Sequence, residues 1–159
     1  MKQLPDTICK QIDHALLKYP DDQRQAAVIY ALILVQKAHA GWLDQQAMDL
    51  VAEYLNMPKI AVYEVASFYS LLDLQPVGRH KISVCTNISC MLRGSDQVVE
   101  HLCQKLKINL GETTSDGKFT MRAVECLAAC GGAPMMQIDE DYHENLTNAK
   151  IDQILAGLE

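Results

Sequence analysis

The chain has 159 residues and a formal net charge of −6, with 49% apolar and 21% charged residues. This apolar fraction is typical of a packed protein and excludes a disordered chain, and the acidic balance argues against nucleic-acid binding, which needs clustered Lys and Arg. The longest apolar run, 26–35, has ten residues, whereas roughly 20 are needed to span a bilayer, so we expect no direct membrane insertion.

The first half of the sequence has the spacing of amphipathic helices. Ile8, Ile12 and Leu16 recur every four residues and form one apolar stripe. Asp44 is a suitable N-cap for a later segment, and Pro58 fits the first turn of the next one. The pattern predicts a small bundle of four helices, over 6–18, 21–39, 44–56 and 58–69.

The pattern changes from helical to mixed beyond the Pro- and Gly-containing break at 74–78. Short apolar and β-branched runs predict four strands, and two other segments carry helical stripes. The predicted order is a strand at 80–84, a helix at 95–106, strands at 119–125, 134–138 and 142–146, and a last helix capped by Thr147. This order predicts a small α+β sandwich with helices over one sheet.

Four of the six cysteines form two pairs. Cys85 and Cys90 make a C-x4-C pair, and Cys126 and Cys130 make a C-x3-C pair that begins 36 residues after Cys90. Each pair lies where a predicted strand meets a loop, so we expect four thiolates at one edge of the sheet. Structural zinc usually takes tighter C-x2-C pairs, whereas wider pairs suit a [2Fe–2S] cluster. Zinc, a redox disulfide and chance clustering stay open as alternatives here.

The residues that flank the two pairs favour the cluster. Gly94 and Ser95 begin a predicted helix just after the first pair, and the free N–H groups of a helix start suit an anion. Gly131 and Gly132 directly follow the second pair and let backbone amides approach sulfur. Hydrogen-bond donors are needed because two ferric ions, two sulfides and four thiolates sum to about −2.

The other candidate groups are better explained by packing. Cys9 and Cys103 lie on helical stripes, and a lone cysteine is most often a small buried side chain. The five histidines are dispersed, with none at ligand spacing to the cysteines. The chain has no glycine-rich dinucleotide fingerprint, so we do not expect it to bind NADH itself.

Three segments together carry a recognisable pattern. They are Val62-Tyr-Glu-Val-Ala-Ser-Phe-Tyr69, then Val84-Cys-Thr-Asn87 completed by Cys90, Leu92 and Gly94, and finally Asp116-Gly-Lys-Phe-Thr120 followed by Cys126-Leu-Ala-Ala-Cys130-Gly-Gly-Ala-Pro134. This pattern resembles the 24 kDa iron–sulfur subunit family of respiratory NADH:quinone oxidoreductase (complex I), known in bacteria as the E subunit. One departure is visible, because Ala128 stands where the family commonly has glycine.

The resemblance implies a helical N-terminal docking domain over 1–77 and a thioredoxin-like domain over 78–159. It implies one [2Fe–2S] cluster held by Cys85, Cys90, Cys126 and Cys130. It further implies a partner flavoprotein subunit that binds FMN and NADH, and additional iron–sulfur subunits in the same complex. The chain would then exchange single electrons with the FMN, as one subunit of an enzyme and without catalytic residues of its own.

The expected localisation rests on the first residues of the chain and on the resemblance. The first residues lack the apolar core of a signal peptide and the Arg-rich character of a transit peptide, so we expect a cytoplasmic protein. Within the complex it would lie peripherally at the cytoplasmic face of the bacterial inner membrane.

Two alternative functions stay open at the level of sequence. Related subunits serve NAD-dependent formate dehydrogenases and bidirectional hydrogenases, also beside a flavoprotein. A more distant alternative is a zinc-stabilised adaptor or a thiol–disulfide protein, although the usual C-x-x-C redox pair is absent.

Overall fold

A computed structural model describes residues 3–158 of the chain. These residues form two compact units, which divide between Pro76 and Val77. The first unit is helical and the second combines helices with a four-stranded sheet, so the expected α+β class is confirmed. Within residues 3–158, no helix is both long enough and apolar enough to cross a membrane.

The helical unit contains four α-helices joined by short connections. They are α1 (Asp6–Leu16), α2 (Val28–Ala38), α3 (Gln45–Leu55) and α4 (Lys59–Phe68). Asp44 caps α3, because its Oδ1 accepts a hydrogen bond from the Ala47 N–H at 2.6 Å. Asn56 ends the same helix with φ 55°, a left-handed conformation that asparagine adopts more readily than most residues. The predicted N-cap Asp44 therefore accounts for the start of α3, and the left-handed Asn56 accounts for its end.

The second helix begins later than the sequence predicts. Residues Arg24–Ala27 form a 3-10 turn, and the α-helix starts only at Val28. The Arg24 guanidinium donates a hydrogen bond to the Tyr54 carbonyl oxygen at 3.0 Å. This contact with the end of α3 holds the turn in place, and such a tertiary contact leaves no periodic signal in the sequence.

A buried polar side chain ties the end of the helical unit to α2. Gln36 is 8% exposed, and its amide nitrogen donates to the Leu71 carbonyl oxygen at 3.2 Å. Its amide oxygen accepts a hydrogen bond from the Asp73 N–H at 2.7 Å. The Gln36 side chain therefore makes two hydrogen bonds with the backbone of the segment after α4, in place of those that a helix or strand would supply.

The second unit is built on a mixed sheet in the order β2-β1-β3-β4. Its strands are β1 (His80–Cys85), β2 (Phe119–Val124), β3 (Met136–Ile138) and β4 (Asp141–His143), and its helices are α5 (Ile88–Leu92), α6 (Ser95–Leu106) and α7 (Asn148–Ala156). β1 and β2 are parallel, whereas β3 pairs antiparallel with both β1 and β4. Ile82 and Met121 are paired in register, and they pack in one core with Leu102 of α6 and Ile151 of α7.

Two features of this unit differ from the sequence prediction. The short helix α5 follows Cys85 and contains Cys90, and it begins where the Asn87 side chain accepts a hydrogen bond from the Ile88 N–H at 2.7 Å. Five residues are too few to show helical periodicity, so the sequence did not reveal it. The last strand ends at His143 rather than at 146, because Asn145 has φ 48° and leaves the extended conformation.

Candidate metal centre

The two cysteine pairs meet at one edge of the sheet because of strand topology. β1 and β2 are parallel neighbours, and Cys85 at the end of β1 is paired in register with Val124 at the end of β2. The carboxyl ends of parallel neighbours lie at the same edge, so the loops after both strands begin side by side. Cys126 follows β2 by two residues, and Cys130 begins a 3-10 turn in the same loop.

The first cysteine pair is buried. Cys85 is 4% exposed, and its N–H donates to the Met135 carbonyl oxygen at 3.2 Å. Cys90 is 2% exposed and lies in the middle of α5. Both pack in a small apolar cluster with Ala133 and Met135, separate from the main core of the unit. This half of the site therefore lies within the packed interior of the second unit.

The second pair lies on an exposed loop whose backbone turns towards sulfur. Cys126 and Cys130 are both exposed. Ala128, between them, has φ 58°, and its N–H donates to the Cys126 sulfur at 3.2 Å. This left-handed conformation is rare for a residue with a Cβ. The two halves of the site thus differ in exposure.

The thiols interact with one another across the two loops. Burial raises the pKa of the Cys85 thiol. Hydrogen bonds to its sulfur lower the pKa, and they come from the N–H groups of Asn87 and Leu127 and from the thiols of Cys90 and Cys126. The net pKa of Cys85 is below its ordinary value. Burial and then the neighbouring Cys85 sulfur raise the pKa of Cys90 to about 11. A bound metal would favour the ionised form of both, because cysteine coordinates metals as the thiolate.

Strand topology starts the two cysteine loops side by side, and the assignment of Cys85, Cys90, Cys126 and Cys130 as one ligand set stays a prediction. Cys9 lies in the helical unit, with its sulfur 4.0 Å from the Leu4 carbonyl oxygen, and Cys103 packs partly buried against the core of the second unit. Neither lies in the cluster of buried residues around the site.

The donor chemistry of the site fits an iron–sulfur cluster. Four sulfurs from two loops are accompanied by backbone N–H groups, those of Asn87 and Leu127 at Cys85, Met135 at Cys90 and Ala128 at Cys126. Such N–H groups stabilise negative sulfur, and a cluster with four thiolates carries about −2. Among residues 3–158, no three His, Cys, Asp or Glu side chains are arranged to hold a metal ion. The fit to a two-iron cluster therefore rests on the donor set.

Close packing against Gly132 explains why this position, two residues after Cys130, is a glycine. A Cβ added at Gly132 would overlap the Glu144 side chain, including the Glu144 Cβ. The Asn145 N–H also donates to the Gly132 carbonyl oxygen at 2.6 Å, so the segment after β4 lies directly against the cysteine loop. The Gly-Gly dipeptide was visible in the sequence, but the residue that packs against it was not.

The surface beside the site is apolar. Ile88, Met91 and Leu92 of α5 are all exposed, Leu92 by 77%. Arg93 follows them, and its guanidinium donates to the Ala133 carbonyl oxygen at 3.4 Å, linking the two cysteine loops. We call Ile88, Met91 and Leu92 the α5 patch. The patch leaves no periodic signal in the sequence, because α5 has only five residues.

A family model described as thioredoxin-like [2Fe-2S] ferredoxin matches residues 12–159. The E subunit of NADH-quinone oxidoreductase from Rickettsia typhi is 45% identical over 138 residues, which cover 87% of this chain and 81% of the relative. A relative from Rhizobium meliloti, the second E subunit of its NADH-quinone oxidoreductases, is 44% identical over 149 residues, covering 94% and 87% of the two chains.

The fold is also found in a solved structure. A crystal structure of an NAD+-reducing [NiFe]-hydrogenase in the air-oxidized state matches 88% of this chain with a TM-score of 0.71. The sequences are only 23% identical in that match, and this chain covers 24% of the hydrogenase chain. The likeness therefore concerns the fold, and it involves about a quarter of the larger protein.

Proposed function

Because this chain belongs to the thioredoxin-like [2Fe–2S] ferredoxin family, we propose that it is the electron-transfer subunit of an NADH-quinone oxidoreductase. It holds one [2Fe–2S] cluster through Cys85, Cys90, Cys126 and Cys130. It exchanges single electrons with the FMN of a partner flavoprotein subunit that oxidises NADH. The observation that carries the proposal is the convergence of two cysteine pairs, with backbone N–H donors, at one edge of the sheet.

The bound cluster supplies a centre that takes up and releases one electron at a time. The chain's own residues bind it and offset its charge. The buried pair, Cys85 and Cys90, anchors it from the protein side, and the exposed pair, Cys126 and Cys130, leaves it near the surface. This arrangement suits electron exchange with a partner, because a buried cluster would lie too far from a flavin in another chain.

The partner docks beside the exposed cysteines in this proposal. The α5 patch offers apolar side chains next to the site, and such surfaces on soluble proteins commonly mark interaction sites. The helical unit adds further exposed apolar residues at Ile60 and Phe68, which support a docking role for residues 1–77. Other iron–sulfur subunits belong to the same complex in this proposal. As part of that complex, the chain lies at the cytoplasmic face of the inner membrane.

A second parent complex is supported by a specific observation. The fold match to an NAD+-reducing [NiFe]-hydrogenase favours a related NAD-linked complex, such as a bidirectional hydrogenase or a formate dehydrogenase, as the alternative. The chemistry of this chain would be the same in either complex, so only the co-purifying chains distinguish them. A quinone-reducing partner set supports the first proposal, whereas a hydrogenase or molybdenum subunit supports the second.

The cluster itself is tested by metal analysis and spectroscopy on the full chain, purified without oxygen. We expect two irons and two sulfides per chain, and an EPR signal only after reduction. Cys85→Ser and Cys126→Ser should each lose most of the iron, whereas the control Cys103→Ala should keep it. Stoichiometric zinc without iron, or readily reversible dithiol chemistry without iron, would instead support the adaptor or thiol–disulfide alternatives.

Docking is tested by co-purification from the native organism. Leu92→Glu places a charge in the α5 patch and should reduce recovery of the flavoprotein subunit at unchanged iron content. Leu110→Glu is the matched control, because Leu110 is also exposed and lies in the same unit but outside the patch. Equal recovery with both variants would contradict docking through the α5 patch.

A further inference from the structure

One hydroxyl group in the second unit is buried without a partner. Ser95 is 0% exposed, and among residues 3–158 its Oγ is the one buried side-chain polar atom that has no hydrogen-bond partner. A serine hydroxyl can donate one hydrogen bond and accept two. Leaving such a group buried and unpaired costs folding free energy, so each case requires an explanation.

The topology places this hydroxyl at the edge that carries the cysteines. α6 connects the parallel strands β1 and β2, so it runs antiparallel to them and begins at the carboxyl-end edge of the sheet. Ser95 is the first residue of α6 and shares its buried face with Val98 and Leu102. The Cα–Cβ bonds of a helix tilt towards its N-terminus. Ser95 therefore lies at the end of this buried face that is nearest to the cysteine edge.

The chain between the first cysteine pair and α6 is short and closed. The Arg93 N–H donates to the Cys90 carbonyl oxygen at 3.1 Å, and the Gly94 N–H donates to the Met91 carbonyl oxygen at 3.0 Å. Gly94 has φ 94°, which allows the chain to reverse direction between α5 and α6. Only this turn separates Ser95 from the buried Cys90.

We propose that the Ser95 hydroxyl donates a hydrogen bond to a sulfur atom of the bound cluster, either a sulfide or a ligand thiolate. This inference rests on the proposed cluster. The Ala128 N–H already donates to the Cys126 sulfur at this edge, and a side-chain donor adds to the same chemistry. One added electron changes the charge of the cluster with its thiolates from about −2 to about −3. The hydrogen bond is therefore stronger in the reduced state, and it raises the reduction potential.

The test is an EPR-monitored redox titration of the full chain with its cluster bound. Ser95→Ala removes the hydroxyl at almost constant volume, and we expect the equilibrium constant for reduction to fall about tenfold, which is about 59 mV for a one-electron couple. Ser83→Ala is the matched control, since Ser83 is also buried in this unit but its hydroxyl accepts a hydrogen bond from Arg122 at 3.4 Å. An unchanged midpoint in Ser95→Ala, or an equal shift in Ser83→Ala, would overturn the proposal.

A second measurement does not depend on comparing potentials. After exchange into deuterated water, pulsed EPR of the reduced protein should show the couplings of exchanged backbone N–H groups in every variant, and one additional deuteron coupling that is missing in Ser95→Ala and present in Ser83→Ala. Its presence in both variants would overturn the assignment to Ser95. A protein that binds iron but shows neither effect contradicts this inference alone, whereas one that binds no iron–sulfur cluster contradicts the proposed function as well.

Discussion

Replacing Ala128 with glycine tests how backbone conformation shapes the second cysteine loop. Ala128 has φ 58°, in the left-handed region, where a Cβ costs about 1–2 kcal/mol. Glycine avoids this cost, but it has more conformational freedom in the unfolded chain, which lowers the free energy of unfolding by about 0.4–1 kcal/mol. Because Ala128 is exposed and its methyl group packs against no core, little else is lost. The net expectation is a gain of about 0.5–1 kcal/mol in the free energy of unfolding.

Thermal unfolding of the cluster-free chain, followed by circular dichroism, measures this gain. For a unit of this size, 1 kcal/mol corresponds to about 4–8 °C in Tm, so we expect Ala128→Gly to raise the Tm by several degrees. The N–H that donates to Cys126 is kept by glycine. Iron content after cluster assembly should therefore equal that of the unmodified chain.

The neighbouring alanine provides a matched control of opposite sign. Ala129 has φ −108°, which needs no glycine, and it packs partly buried beside the cysteines. Ala129→Gly should therefore lower the free energy of unfolding by about 0.5–1 kcal/mol. If both glycine variants lose stability by similar amounts, the left-handed strain assigned to Ala128 is wrong.

Three further predictions concern other parts of the chain. Gln36→Leu should cost about 1–3 kcal/mol in urea unfolding, because two partly buried hydrogen bonds to the backbone after α4 are lost, each contributing about 0.5–1.5 kcal/mol; an unchanged midpoint would contradict this role. Gly132→Ala should destabilise the second unit by overlap with Glu144, and adding Glu144→Gly should recover much of the loss in a double-mutant cycle. Lys105, and to a smaller extent His101, hold the pKa of Asp152 below its ordinary value. The ion pair of Asp152 is therefore complete above pH ~4 and is lost as pH falls through the lowered pKa. Lys105→Met should raise the pKa of Asp152 in an NMR titration, and no change would refute the pairing.

Several elements could be predicted from the sequence because their signals are local. The capping residue Asp44 and the apolar stripe of α1 accounted for helix positions, and the short β-prone runs at β1 and β2 predicted strands there. The resemblance to the iron–sulfur subunit family is confirmed by relatives about 45% identical over most of the chain. The assignment of Cys85, Cys90, Cys126 and Cys130 as cluster ligands stays a prediction, which Cys85→Ser and Cys126→Ser test for one member of each pair.

Other elements could not be predicted because their causes are distant in sequence. The 3-10 turn before α2 depends on a contact between Arg24 and Tyr54, 30 residues away. The short helix α5 depends on one cap, and its five residues are fewer than two helical turns. The early end of β4 depends on a single left-handed residue, Asn145.

The sequence by itself determined the kind of chemistry: two cysteine pairs at strand ends, flanked by glycines, in an acidic chain of mixed helices and strands. These are properties of residue type and spacing, which a sequence shows directly. Only the tertiary structure decided that one pair is buried and the other exposed, that Ala128 is left-handed, and that the Ser95 hydroxyl has no partner within residues 3–158. Burial and hydrogen bonding depend on which distant segments pack together, and strand pairing determines that packing.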